Sequence, residues 1–272
     1  MNIFKMNTFK HNRNNNMEQK LNAAKLIGLT PSQVLSETPT RFYSNAKAPL
    51  HTLSNLYGCS CVVEGHEFPS AEHAYQGLQK MSGLSDWVVG GRFSDWDEVY
   101  RMVNEDRATK KRKPLSAARW KKKNQIGILA ILVIRRSELF GLQWKPRDDA
   151  LSISYEHRWR PIFEAKYSDA TLRQSLMATQ GPLIEFKRGG HKEMLKAFNN
   201  GLVAGMTAEK ANAAAHQVEL WGAYNIGTEV WGQNMTGKNL TRFRDELLAR
   251  KRSNDIAQPA SKRAKFKQYV SQ

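Results

Sequence analysis

Cysteine is nearly absent: Cys59 and Cys61 are the only two in 272 residues, and they stand one residue apart. A bridge at that spacing would need strained geometry, so the pair reads as free thiols of a reducing compartment. Two cysteines also exclude a Cys-only zinc site. The seven histidines, His11, His51, His66 and His73 among them, show no paired ligand spacing, so neither a structural metal nor a cofactor is expected. A long apolar run is missing too. The most apolar stretch, Ile126 to Ile134, is bracketed by Lys121-Lys122-Lys123 and Arg135-Arg136. It falls well short of the roughly 20 residues a bilayer crossing needs and reads as a buried helix. The N-terminus lacks the apolar core of a secretory signal, and its Asn-rich start (Asn12, Asn14, Asn15, Asn16) reads as a flexible arm. A cytoplasmic protein without a membrane partner is expected.

Acid is in short supply: 25 Asp and Glu face 42 Lys and Arg, a formal net charge of +17. A polyanion is the expected neighbour, and nucleic acid is the commonest one. The densest basic run holds Trp120, and an aromatic among cations can stack on bases. Lys110, Lys111, Arg112, Lys113, Lys121, Lys122 and Lys123 are therefore the candidate nucleic-acid contacts, although a solvated face has the same composition. A second basic cluster, Lys262 to Lys267, lies in a polar tail over 253–272; it suits nuclear import, nucleic-acid binding or solubility alone. With 40% hydrophobic and 10% aromatic residues the chain can still bury a full core.

What is present is a succession of short patterns. Cys59 to Glu64 reads as a strand turned by Gly65, and Pro69 is expected to end any strand before it. Ser70 then caps a helix from Ala71. On that helix Glu72, Tyr75, Gln76 and Gln79 share a face of the kind that usually meets solvent, and the dipole of the first turn favours an ionised Glu72. Thr30-Pro31 reads as the start of a helical turn through Leu35, Ser94 or Asp95 as a helix cap, and 143–157 as irregular. Further expectations are a helix from Trp159 to Tyr167, a following helix capped by Ser168 and a strand over Pro182 to Phe186. Helices near 191–200 and 207–219 precede a final helix, capped by Thr236 and running through Arg252. The Gly232 to Gly237 loop before it would offer backbone amides to an anion. Many short helices and few short strands give an α+β fold with a mainly helical body.

Four separated pieces resemble the NADAR family of YbiA-like N-glycosidases. They are Leu53-Ser54-Asn55; Phe68-Pro69-Ser70-Ala71-Glu72-His73-Ala74-Tyr75-Gln76; Lys166-Tyr167 with Leu172-Arg173 and Leu176 to Thr179; and Trp221-Gly222 followed by Gly232 to Leu240 and Arg244 to Leu247. The resemblance implies one NADAR-like catalytic domain over 40–252, with an arm over 1–39, a basic tail over 253–272 and insertions at about 100–158 and 188–216. It implies hydrolysis of an N-glycosidic bond at a ribose through an oxocarbenium-like transition state, which a carboxylate stabilises. Glu72 takes that role. The family has an Asp three positions before its Trp-Gly, where this chain has Val218; the adjacent Glu219 is the expected substitute. Trp96 and Trp221 are expected as walls for a planar base, Gly222 as a point of close approach, and Asn55, Asn234 and Arg244 as contacts to ribose and phosphate. His73 reads as structural.

With the basic balance, the leading expectation is removal of ADP-ribose from a guanine of nucleic acid. The same chemistry on a phosphorylated ribosylamine of the riboflavin pathway is the first alternative. A non-enzymatic module that binds nucleic acid or ADP-ribose is the second.

Overall fold

The structure, a computed structural model, describes Lys25 and residues 28–79, 83–142 and 154–257. Its strands, in chain order, are β1 (Gln33–Val34), β2 (Thr40–Phe42), β3 (Gly58–Val63), β4 (His66–Ser70), β5 (Leu183–Glu185), β6 (Tyr224–Ile226) and β7 (Glu229–Trp231). The α-helices are α1 (Ala71–Gly77), α2 (Trp96–Thr109), α3 (Ala118–Lys122), α4 (Ile128–Ile134), α5 (Arg160–Lys166), α6 (Ala170–Met177), α7 (Gly190–Val203), α8 (Ala208–Val218) and α9 (Met235–Ala257). Helices dominate and the sheets are small, so the fold is α+β as expected.

Antiparallel pairing joins β1 to β7 and β7 to β6, while β2 and β5 run parallel. The β3–β4 hairpin turns at Glu64 and Gly65, both with positive φ (52° and 77°), the backbone a tight two-residue hairpin requires. One further parallel bridge, Phe186 to Ala223, lays the end of β5 against the segment before β6. That bridge matters most for the site, because it sets Glu185 and Lys187 beside Trp221 and Gly222.

The main core gathers Phe42, Phe68, Trp87, Phe93, Phe163 and Phe243 between the β3–β4 hairpin, α1, α4, α5 and α9. Each such ring contributes on the order of 2 kcal/mol by leaving water. A second cluster, including Met194, Phe198, Ala211 and Ala215, holds the α7–α8 pair against Leu29 and Trp231 of β7.

Several local expectations need correction. Residues 33–34 form a strand instead of a helical turn, because the free edge of β7 supplies the pairing that a short helix cannot match. Strand β4 runs through Pro69, which falls where the register slips between Gly58 and Cys61, so its missing N–H breaks no ladder bond. Asp169, not Ser168, caps α6, accepting from the Leu172 amide at 2.9 Å. The last helix begins at Met235, with Thr236 inside its first turn, and continues past Arg252 to Ala257. The π-helical turn Tyr155–Trp159 leads into α5 where irregular chain was expected. Residues 1–27 of the arm expected over 1–39, Lys25 apart, and the tail beyond 257 lie outside the described residues. The start of α1, the Asp95 cap of α2, the buried face of α4, strand β5 and helices α7 and α8 agree with the sequence reading.

Candidate active site

Helix α1 is short, yet every one of its residues is buried. Ser70 starts it by accepting from the His73 amide at 3.2 Å. The same hydroxyl lies 2.8 Å from His73 Nδ1, while Nε2 is 3.0 Å from the Phe93 carbonyl. A carbonyl can only accept, so Nε2 carries the proton and Nδ1 accepts from Ser70. Burial lowers the His73 pKa to about 4 and keeps the ring neutral. Its role is to hold the turn.

The polar face of α1 turns away from bulk solvent, toward a cleft of about 480 Å³. Glu72 enters it from the first turn. Its amide donates to the Asn55 carbonyl at 3.0 Å and its Oε1 accepts from Gln76 Nε2 at 2.8 Å. Tyr75 stacks on Trp159 with centroids 4.6 Å apart and planes 14° apart, and Trp221 meets both rings at 5.4 Å. Ile128, Ile131 and Ile134, spaced by three on α4, supply an apolar side; Trp120 and Arg135 flank it. Three buried polar atoms of lining residues have no partner: Asn55 Oδ1, Gln76 Oε1 and Trp159 Nε1. Two acceptors and one donor are thus available for a polar ligand.

The opposite wall is assembled from distant segments. Glu185, at the end of β5, lines the same cleft as Glu72, with Lys187, Trp221 and Thr236 beside it. Burial pushes the Glu185 carboxyl pKa up; the Lys187 charge, the Thr236 hydroxyl and the Lys166 charge oppose that shift. The wall is held by backbone pairing, in which Ala223 N donates to Glu185 O and Lys187 N to Ala223 O, each at 2.9 Å. Gly222 packs so closely behind it that a Cβ there would meet the Glu185 carbonyl and Lys187 Cγ at 2.8 Å. Lys166, fully buried, donates to the carbonyls of Leu53 (3.2 Å) and Ser54 (2.7 Å), fixing the turn that carries Asn55.

Of the residues singled out in the sequence, Asn55, Glu72 and Trp221 line the cleft and Gly222 lies directly behind it. Glu219 is not among the lining residues. It is 1% exposed, 3.4 Å from Lys187 Nζ, and burial raises its pKa to about 7 against the pull of Lys187. Asn234 braces β5: its Oδ1 accepts from Glu185 N at 3.1 Å and its Nδ2 donates to Leu183 O at 2.9 Å. Arg244 donates to the Gly181 carbonyl at 2.6 Å and pairs with Asp245 at 2.9 Å. Trp96 packs on Tyr100 under Lys121, away from the cleft lining.

The anion loop expected before the last helix is occupied by the protein itself. The amides of Gln233, Asn234, Met235 and Thr236 donate to the carbonyls of Glu219, Gly222, Leu220 and Trp221. Those bonds stop the loop from binding phosphate and make it the support of the Trp221 wall.

Glu185 was within reach of the sequence. A lone carboxylate in the apolar strand Leu183-Ile184-Glu185-Phe186 has no surface reason to be there.

Among the cations of the basic run, Lys123 Nζ donates to the Asn45 carbonyl at 3.0 Å, Lys121 pairs with Asp97 at 3.4 Å and Lys110 pairs with Asp106. Lys111, Arg112, Lys113 and Lys122 are exposed, and Lys110 and Arg112 line a second groove next to the first.

No family model matches the sequence, and no curated protein matches it. Among solved structures, the chain is similar to the NMR structure of the E. coli protein YbiA, with 18% identity, a TM-score of 0.40, and 83% of this chain and 94% of that one covered. No helix among the described residues is long and apolar enough to cross a membrane.

Proposed function

We propose that the protein is an N-glycoside hydrolase that removes ADP-ribose from a nucleobase of nucleic acid. The observation that carries this reading is the convergence of two carboxylates, Glu72 from α1 and Glu185 from β5, on one cleft walled by Tyr75, Trp159 and Trp221. The motif resemblance of the Ser70–Gln76 helix supports it.

Carboxylates of different character are what N-glycoside hydrolysis asks for. The ribose C1–N bond breaks with its electron pair staying on the leaving nitrogen. Glu185, whose carboxyl burial holds toward the protonated form, supplies the proton that nitrogen takes up. Glu72 faces the cation that develops at C1 and accepts the proton of the water that adds there. Its helix turn favours a negative charge. Asn55 Oδ1 and Gln76 Oε1 are acceptors for ribose hydroxyls, and the tryptophans are apolar walls for the base. Lys187 stands between Glu185 and Glu219 as their shared counter-charge, so Glu219 acts as a positioning residue.

The test is release of free ADP-ribose from ADP-ribosylated DNA, RNA and protein. Release from nucleic acid that disappears in Glu72→Gln is expected; release that survives this substitution overturns the assignment. A cleft of about 480 Å³ is also large enough for a small phosphorylated ribosylamine. Salt separates the two, because turnover of a polymeric substrate must weaken steeply as salt rises.

A further inference from the structure

A second groove, also of about 480 Å³, opens beside the candidate active site. It lies between the C-terminal part of α2 and α4, and it shares Trp120, Ile128 and Arg135 with the first cleft. Its cations are Lys110, Arg112, Arg135 and Arg136, and Asp106 is the lone acid in its lining. Asp106 is already paired with Lys110. Among the described residues no ion pair takes up Arg112, Arg135 or Arg136, and Arg136 feels the repulsion of Arg107, Arg135 and Arg112 along with the pull of Asp106.

Like charges crowded this closely repel one another, and a ligand rich in negative oxygen relieves them. A solvated surface does not require guanidinium groups from the segments that follow α2 and α4 to face one concavity. The junction with the first cleft is aromatic: Arg119 lies 5.0 Å over the Trp120 ring, and that ring borders both spaces. Cations and a π-face in alternation match phosphates and bases in alternation.

We propose that this groove binds the phosphodiester backbone of a single-stranded nucleic acid and leads one nucleoside past Trp120 into the active-site cleft. The route into the cleft rests on the function proposed above; the binding itself does not. The shared chemistry is phosphate oxygen, which a free diphosphate also offers, so both are measured.

The probe is a fluorescent, unmodified single-stranded oligonucleotide titrated by anisotropy against the full chain at several salt concentrations. Arg112→Gln with Arg136→Gln is expected to weaken binding at least about tenfold near physiological salt and to flatten the log–log salt slope by about 1.4, two phosphate contacts at roughly 0.7 each. Arg112→Gln alone, at an exposed position, is expected to fold normally and to flatten the slope by about 0.7. Unchanged affinity and slope in both variants overturn the proposal. So does loss of pyrophosphate binding with oligonucleotide binding intact, which would make the groove a diphosphate subsite. The oligonucleotide has no scissile ADP-ribose, so failure of the hydrolase reading leaves this result standing.

Discussion

The two walls of the candidate cleft are built in opposite ways. Ser70, Glu72, Tyr75 and Gln76 come from one cap and one helix turn, so their spacing follows from helical geometry. Glu185, Lys187, Trp221 and Thr236 come from three segments up to 51 residues apart, joined by the Phe186–Ala223 bridge, Asn234 and the amides before α9. A wall of the first kind survives changes elsewhere in the chain. The second is as stable as its long-range contacts. Glu185 and Glu219 make the point in miniature: both lie close to Lys187, but only the first lines the cleft.

The largest expected effect tests that division directly. Glu72→Gln and Glu185→Gln, one from each wall, should each lower kcat by about 10²–10⁴-fold, whereas Glu219→Gln should cost only about tenfold. Single-turnover rates on one substrate check this, and a Glu219 loss equal to that of Glu185 would break the comparison.

Gly237 provides the next test. A Cβ there would run into the Leu183 carbonyl and the Asn234 amide that brace β5. Although alanine is the better helix former, Gly237→Ala should destabilise the fold by roughly 3 kcal/mol in urea unfolding. A gain in stability would mean that the assembled wall tolerates slack. Ser70→Ala, in the contiguous wall, removes the cap and the partner of His73 at once. Its expected cost is smaller, about 1–2 kcal/mol.

The smallest effects are in the pH dependence of stability. Folded Glu219 holds its proton to about pH 7, above its ordinary 4.5, so the folded state binds more protons between those values. Its contribution is complete below pH 4.5 and is lost as pH rises toward 7. His73 behaves oppositely: folded, it stays neutral down to about pH 4 rather than 6.5, so its contribution is present above 6.5 and lost as pH falls toward 4. Thermal melts of Glu219→Gln should show a weaker first slope, with the share of Glu185 remaining, and an unchanged second slope. An undiminished first slope would sink the burial argument for Glu219.

What the sequence determined by itself was local and steric: the Ser70 cap, the Ala71 start, the Asp95 cap and the apolar stripe of α4 depend on side chains a few residues apart. It also determined the excess of positive charge. Glu72 could be placed on its helix, but not its surroundings, because an amphipathic pattern does not tell solvent from a cleft. The convergence of Glu185 on the Glu72 cleft, the occupation of the Gln233–Thr236 amides and the choice of cations that face a groove were decided by tertiary structure. Each depends on pairing between segments tens of residues apart, and such pairing is settled by burial and hydrogen-bond satisfaction over the whole core rather than by spacing along the chain.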